Sequence, residues 1–155
     1  MTRLPLRLDM SSDSNSTGRE AQYDAYQQTA QRCRLLLRER HTEHGLTVEQ
    51  AAAALFVSIR GLQRALAYCG SEGFRAELTC VRAQEAARLF NEDPSLPINE
   101  AARRVGYVHA THFARGFRSY HGLSPSAFRQ RARDERRRRV EEISLSFPAE
   151  LLAAR

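Results

Sequence analysis

A chain of 155 residues suffices for one ordinary domain or two very small ones. Its 42% hydrophobic residues allow a core, but no apolar run reaches the roughly 18 residues of a membrane span. Met1–Met10 lacks the apolar stretch of a secretion signal. The three cysteines form no C-x-x-C pair, which argues against a disulfide framework or a zinc ribbon and indicates a reduced, cytoplasmic setting.

The positive charge is carried by arginine alone, since all 24 basic residues are Arg. Residues 46–139 hold 16 arginines against 9 acids, a net charge of +7, whereas the preceding segment carries +1 and the following one −2. A basic central segment indicates either a polyanionic partner, most commonly nucleic acid, or simply a charged, solvated surface.

The chain opens with a polar segment and then becomes helical. Residues 9–20 are polar and rich in Ser, Asp and Asn. This composition predicts a disordered arm over residues 1–22. From Tyr26 onward, apolar residues recur at helical spacing. This stripe comprises Tyr26, Ala30, Cys33, Leu36 and Leu37.

Two short helices and a longer one are predicted next. Thr47 and Gln50 form a capping box that opens an alanine-rich helix ending near Leu55. Ser58 is a good N-cap for a helix through about Tyr68. The inward face of that helix comprises Ile59, Leu62 and Leu66, and its outward face Arg60, Gln63, Arg64 and Ala67. A longer helix is predicted over residues 74–90.

The pattern then recurs. A short helix over residues 98–105 is broken by Gly106, and another runs from about Ala110 to Tyr120. Its predicted inward residues are Phe113, Phe117 and Tyr120. Ser124 and Pro125 restart a helix that continues through residues 136–139, which are suited equally to phosphate contact or to a solvated helix end. No strand is predicted, so the class is all-α, with about seven helices.

The two short-helix pairs are an internal repeat. At an offset of 50 residues, Ala51 and Ala52 fall on Ala101 and Ala102. In the second helix of each pair the offset is 51, and the matched pairs are Leu62 with Phe113, Arg64 with Arg115, and Leu66 with Phe117. Each unit is typical of a helix-turn-helix: a short helix with small residues, a tight turn, and a helix with a basic outer face.

The second unit contains the string Ala101-Ala102-x-x-Val105-Gly106-Tyr107, Thr111-His112-Phe113-x-Arg115-x-Phe117-Arg118 and Gly122-Leu123-Ser124-Pro125-Ser126-x-Phe128-Arg129. This string resembles the signature of the AraC/XylS family of bacterial transcription regulators almost position for position. The resemblance covers about residues 30–132. In four places the chain departs from the family. Phe56 stands where a glycine is frequent, and Pro97 replaces the usual capping hydroxyl. Gly61 lies inside the first recognition helix, and Ala83 replaces a common large apolar residue.

The resemblance implies two helix-turn-helix subdomains joined by a long connecting helix. The expected organisation is an arm over 1–22, a DNA-binding domain over 23–132, and a basic helical extension with a tail over 133–155. The implied function is sequence-specific regulation of transcription, with activation through RNA polymerase, by a chain bound to double-stranded DNA as a monomer. Two rival hypotheses stay open: a nonspecific nucleic-acid-packaging protein, and a DNA-binding module controlled by a partner protein.

The predicted DNA contacts follow from side-chain chemistry. Arginine suits guanine, glutamine suits adenine, and the methyl groups of Ala and Thr suit thymine. The predicted base-reading residues are Arg60, Gln63, Arg64, Ala110, Thr111, Ala114 and Arg115. Ser58 and Arg118 are predicted to contact phosphate. A structural alternative for Arg64 and Arg115 is to pair with an acid and brace their own units.

No enzyme, metal site or cofactor is predicted. No Ser-His-Asp set, carboxylate pair or phosphate-binding glycine loop is visible in the sequence. Two histidine pairs at i, i+3 spacing lack an evident third ligand. Cys33, Cys69 and Cys80 are expected to be small hydrophobic residues rather than redox sensors.

Overall fold

The computed structural model describes residues 13–146, and every regular element in that part of the chain is an α-helix. The helices are α1 (Asp13–Arg40), α2 (Val48–Ala54), α3 (Ile59–Tyr68), α4 (Phe74–Glu92), α5 (Ile98–Arg104), α6 (Ala110–His121) and α7 (Pro125–Ser146). The predicted all-α class is confirmed. The described residues form two units: those up to Leu36 with Thr47–Phe74, and Leu37–Leu46 with those from Arg75 onward.

In the first unit, α2 and α3 both begin at side-chain caps. The Thr47 hydroxyl accepts a hydrogen bond from the Gln50 N–H at 3.3 Å, and the Gln50 side chain accepts one from the Thr47 N–H at 3.1 Å. The Ser58 hydroxyl accepts a bond from the Gly61 N–H at 3.0 Å. Because these N–H groups have no partner inside the helix, the caps fix both starting points, as the sequence predicts.

The core of the first unit consists of small and aliphatic side chains. Its buried members include Ala30, Cys33, Ala51, Ala52, Leu55, Leu62, Ala65 and Leu66. Small residues at the contact allow α2 and α3 to approach closely. Ile59, predicted to face inward, is 39% exposed because it is the first residue of α3 and lies over the turn before it.

The disordered arm predicted over residues 1–22 is wrong for its second half, since α1 begins at Asp13. The first twelve residues lie outside the described part of the chain. Once the packed C-terminal half of α1 exists, each further residue extends an existing helix without the cost of nucleation. The rings of Tyr23 and Tyr26 also lie 5.4 Å from the ring of Tyr68 on α3, a tertiary contact that supports the extension.

In the second unit, α5 and α6 pack over an aromatic core. Its most buried members are Phe90, Ala101, Ala102, Val105, Phe113 and Phe117. Tyr120, predicted to face inward, is 44% exposed, and its hydroxyl accepts a bond from the Gln84 amide at 2.6 Å. Pro97 precedes α5 and provides no side-chain cap, so α5 depends more on burial than on capping.

The repeat extends to the helix in front of each pair. Cys33 and Leu37 of α1 are buried, and so are Ala83 and Ala87 of α4, fifty positions later. Each repeat is therefore a three-helix element, α1–α2–α3 and α4–α5–α6, and not the helix pair alone.

The repeat also matches two arginines that differ in their surroundings. Arg32 is exposed and donates one bond, at 3.3 Å, to the Leu55 carbonyl. Arg82 is only 7% exposed and donates to the His41 carbonyl at 2.8 Å and the Glu43 carbonyl at 2.7 Å. The buried arginine thus binds the loop that follows α1.

The same guanidinium adjoins the turn of the second helix-turn-helix. Arg82 lies 5.0 Å from the centre of the Tyr107 ring, a cation–π distance. Gly106 has φ 88°, and a Cβ placed there would lie 2.3 Å from the His41 carbonyl oxygen and 2.8 Å from an Arg82 nitrogen. Glycine is therefore required at this turn. Burial lowers the pKa of the Arg82 guanidinium, because desolvation disfavours its charged form. The hydrogen bonds to the two carbonyls compensate for this desolvation.

Helix α7 is held by arginines that donate to backbone carbonyls at and beyond the end of α4. The bonds are Arg129 to Leu96 at 3.0 Å, Arg133 to Pro94 at 2.7 Å and Arg136 to Glu92 at 3.1 Å. Spacings of four and three residues place these arginines on one face of α7. The predicted boundary between residues 132 and 133 falls inside this helix, and residues after Ser146 lie outside the described part.

We expect Arg82→Met to lower the free energy of unfolding by about 2–4 kcal/mol, because the His41 and Glu43 carbonyls lose their shared donor. The matched control is Arg32→Met, which removes one exposed bond from the equivalent position and should cost less than about 1 kcal/mol. Chemical denaturation of both variants measures the difference. Equal losses would contradict a special role for Arg82.

Candidate nucleic-acid interface

The outward face of α3 carries three long hydrogen-bond donors. Leu62 and Leu66 are fully buried, which leaves Arg60, Gln63 and Arg64 exposed. Residues three and four apart lie on one side of a helix, so these side chains form one polar strip. Within the described residues, no hydrogen bond or ion pair engages any of the three.

The outward face of α6 carries more short side chains than that of α3. Thr111, Arg115 and Arg118 are exposed, whereas Ala110 and Ala114 are half-buried. Ala110 also packs against the core of the second unit, so only part of its methyl group is accessible. The structure therefore presents all the predicted contact residues of α6 at its surface, two of them only in part.

The structural alternative for Arg64 and Arg115 requires an acidic partner, and neither has one in the described part of the chain. Arg64 and Arg115 are exposed and unpaired. Elsewhere arginines do pair: Arg103 and Arg104 bind Glu100 at 2.6 and 3.0 Å. The hydrogen bond from Arg103 is the largest cause of the lowered pKa of the Glu100 carboxyl. The geometry therefore argues against the structural alternative for Arg64 and Arg115.

The sequence around each of these helices explains the lack of pairing. Residues 50–71 contain two arginines and no acid, and residues 101–133 contain seven arginines and no acid. With no carboxylate on α3 or α6, the exposed guanidinium groups of these two helices keep their positive field and remain available to an outside anion.

The N-termini of α3 and α6 differ in their capping. The exposed Ser58 hydroxyl accepts one bond from the helix and keeps its proton for donation. His109 precedes α6 and makes no side-chain cap bond. Backbone N–H groups at a helix N-terminus favour anions such as phosphate, so both starts suit a phosphate, and the predicted contact residue Ser58 lies at the first of them.

One surface residue has no role in the sequence-based prediction. Phe56, in the turn between α2 and α3, is 92% exposed and has φ 58°. It has the only positive φ of a non-glycine residue in the described part of the chain. The signal available in the sequence was its departure from the glycine frequent in the resembling family.

The described residues contain no group of three or more His, Cys, Asp or Glu that could hold a metal ion. Cys33, Cys69 and Cys80 form no disulfide, and Cys33 is buried. None of the described helices is long and apolar enough to cross a membrane.

Two three-helix repeats with exposed, unpaired donors on the last helix define a tandem helix-turn-helix protein. Residues 51–131, more than half of the chain, match the family described as helix-turn-helix domain. The chain belongs to this family and is an AraC-type helix-turn-helix domain of transcription regulators. The family comprises DNA-binding regulators and not enzymes.

Several known proteins are similar to the chain. The C-terminal domain of AraT, a response regulator from Geobacillus stearothermophilus, is 33% identical with a TM-score of 0.60, and the match covers 66% of this chain and 84% of that one. A probable AraC family transcriptional regulator from Rhodopseudomonas palustris CGA009 is 27% identical with a TM-score of 0.58, over 68% of this chain and 97% of that one.

A curated relative is a probable thc operon regulatory protein from Rhodococcus erythropolis. It is 34% identical over 90 residues, which are 57% of this chain. The match spans only 27% of the relative's length. The similarity therefore concerns a domain of that protein and not the whole of it.

We expect Arg64→Ala and Arg115→Ala each to change the free energy of unfolding by no more than about 0.5 kcal/mol, because neither side chain has a partner in its unit. Denaturant unfolding of the single variants tests this. Leu62→Ala, on the buried face of α3, is the positive control and should cost about 2–5 kcal/mol. A loss above about 1.5 kcal/mol for either arginine would restore a bracing role.

Proposed function

We propose that the chain is a sequence-specific transcription regulator that reads one segment of the DNA major groove with α3 and another with α6. The observation that carries this proposal is the set of exposed, unpaired donors on two acid-free helices. The major groove admits a helix and shows a distinct pattern of donors and acceptors for each base pair. Each recognition helix then selects a short box of sequence.

On α3 the chemistry favours hydrogen-bonded readout. Arg60 and Arg64 suit the O6 and N7 acceptors of guanine, and Gln63 suits the N6 and N7 positions of adenine. Gln63 and Arg64 lie three and four residues after Arg60, so all three side chains lie on one side of the helix. Ser58, at the N-terminus of this helix, contacts phosphate and fixes the register.

On α6 the chemistry favours apolar contact with a single strong donor. Thr111 and the accessible parts of Ala110 and Ala114 present methyl groups suited to the thymine methyl. Arg115 is the base-reading donor, and Arg118 contacts phosphate.

We propose that one chain occupies one site as a monomer, because two reading units already lie on it. The expected direction of control is activation, through contact with RNA polymerase, as the family resemblance implies. The place of action is the bacterial cytoplasm, where the chromosome lies.

DNA binding should weaken steeply as salt increases. If about six phosphates are neutralised, the plot of log affinity against log salt should have a slope of about −5, because bound counterions are released. Fluorescence anisotropy of a labelled duplex over a salt series measures the slope. A slope near zero would remove nucleic acid as the main partner.

Arg60→Ala and Gln63→Ala should each relax the preference at one or two base pairs under α3, by about 1–3 kcal/mol per lost base contact. Arg118→Ala is the matched control. It should weaken all sequences alike and make the salt slope shallower by about one. Selection from random DNA, followed by titration of selected and scrambled duplexes, separates the two effects.

The same titrations test the rival function. A regulator should prefer its selected site over random DNA by at least about 10³-fold. Equal losses on specific and random DNA for Arg60→Ala and Gln63→Ala would limit these side chains to phosphate contact. If the parent chain also showed no preference for the selected site, these results would favour a nonspecific nucleic-acid-packaging protein.

A further inference from the structure

Phe56 occupies the turn of the first helix-turn-helix in a conformation that L-residues rarely adopt. Its φ is 58°, and the turn is closed by a bond from its N–H to the Ala53 carbonyl at 3.1 Å. The next N–H, of Val57, donates to the Ala52 carbonyl at 3.0 Å. Because a bulky side chain with positive φ is strained, this residue reduces the stability of the turn.

The second helix-turn-helix shows how the same turn forms without strain. Gly106, fifty positions after Phe56, has φ 88°, and its N–H donates to the Arg103 carbonyl at 3.0 Å. The following N–H, of Tyr107, donates to the Ala102 carbonyl at 2.9 Å. The hydrogen bonds match one for one, so the turn itself does not require a phenylalanine.

Packing within the unit does not explain the ring either. The Phe56 side chain is 92% exposed and belongs to no part of the described core. Free in water, an exposed ring and a strained backbone are both unfavourable. A surface that covers the ring would provide a compensating gain.

The surroundings of the ring indicate what that surface is. Phe56 lies two residues before Ser58, the cap of α3, and four before Arg60. No acid occurs in residues 50–71, so this segment itself does not repel a polyanion. Nucleic acid also has apolar groups at the groove edge, the thymine methyl and the deoxyribose, which an aromatic ring can cover.

We propose that Phe56 is a DNA-contacting residue whose ring covers an apolar group of the DNA beside the box read by α3. The inference rests on the proposed function and adds an apolar contact to the polar strip of Arg60, Gln63 and Arg64. The contact is uncharged, so it strengthens binding without neutralising a phosphate.

The test compares Phe56→Gly with Phe56→Asn and Phe56→Tyr in the full chain. Gly and Asn both accept a positive φ but lack the ring, so both should raise the midpoint of thermal unfolding and lower affinity for the selected duplex about tenfold. Tyr retains the ring and should bind like the parent chain. The salt slope should stay unchanged for all three, in contrast with Arg118→Ala.

A duplex with deoxyuridine in place of thymidine only at the positions beside the box read by α3 locates the contact and leaves the thymines under α6 unchanged. If the parent chain loses affinity on this duplex and Phe56→Gly shows no further loss, the ring covers a thymine methyl. If neither responds to the change while Phe56→Gly still binds weakly, the ring covers deoxyribose.

The inference would be overturned if the Phe56→Gly and Phe56→Asn variants bound DNA as tightly as the parent. It would also be overturned if these variants lost only transcription activation, because the ring would then contact a protein partner. Failure of the proposed function is a separate result. It would appear as absent sequence preference in the parent chain, or as no relaxation for Arg60→Ala and Gln63→Ala.

Discussion

The second unit depends on one buried cation. Arg82 donates to the His41 and Glu43 carbonyls, which lie beyond the end of α1, while its guanidinium adjoins Tyr107 in the turn before α6. A buried guanidinium is tolerated only when its donors are satisfied, so this loop and this turn must keep their positions together. Gly106 is part of the same constraint, because any Cβ there would collide with the His41 carbonyl. The orientation of α6, and with it that of Arg115, follows from this cluster.

The arginines in the described part of the chain fall into three environments. Some, such as Arg82 and Arg133, donate to backbone carbonyls, and others, such as Arg103, pair with carboxylates. A third group does neither within the described residues and includes the arginines on α3 and α6. An arginine bound to a carbonyl keeps its charge but loses free donors, while one paired with an acid loses its local field as well. Only the third group offers both a field and unoccupied donors to a polyanion.

The sequence predicts most of the fold because its signals are local. The caps at Thr47 and Ser58, and the periodic burial of Leu62, need only the chain itself to be recognised. The predicted start of α1 is wrong, because the N-terminal part of this helix is stabilised partly by a tertiary contact with Tyr68. No local sequence pattern contains such a contact. The bond from Arg136 to a backbone carbonyl was missed for a similar reason, since every residue carries a carbonyl and the sequence does not show which ones end up within reach. For the candidate site, the outward residues of both helices were predictable from helical spacing, but whether they would be paired was not.

The two repeats share one backbone design and differ in what packs on the turn. In the second repeat the turn is enclosed by Arg82 and the His41 carbonyl, so only glycine fits. In the first repeat the matching arginine, Arg32, is exposed and reaches no further than the Leu55 carbonyl, which leaves the turn open. An open turn accepts a side chain at the cost of backbone strain, and Phe56 occupies it. The open turn of the first repeat therefore has room for an additional contact residue, while the enclosed turn of the second excludes any side chain from the same position.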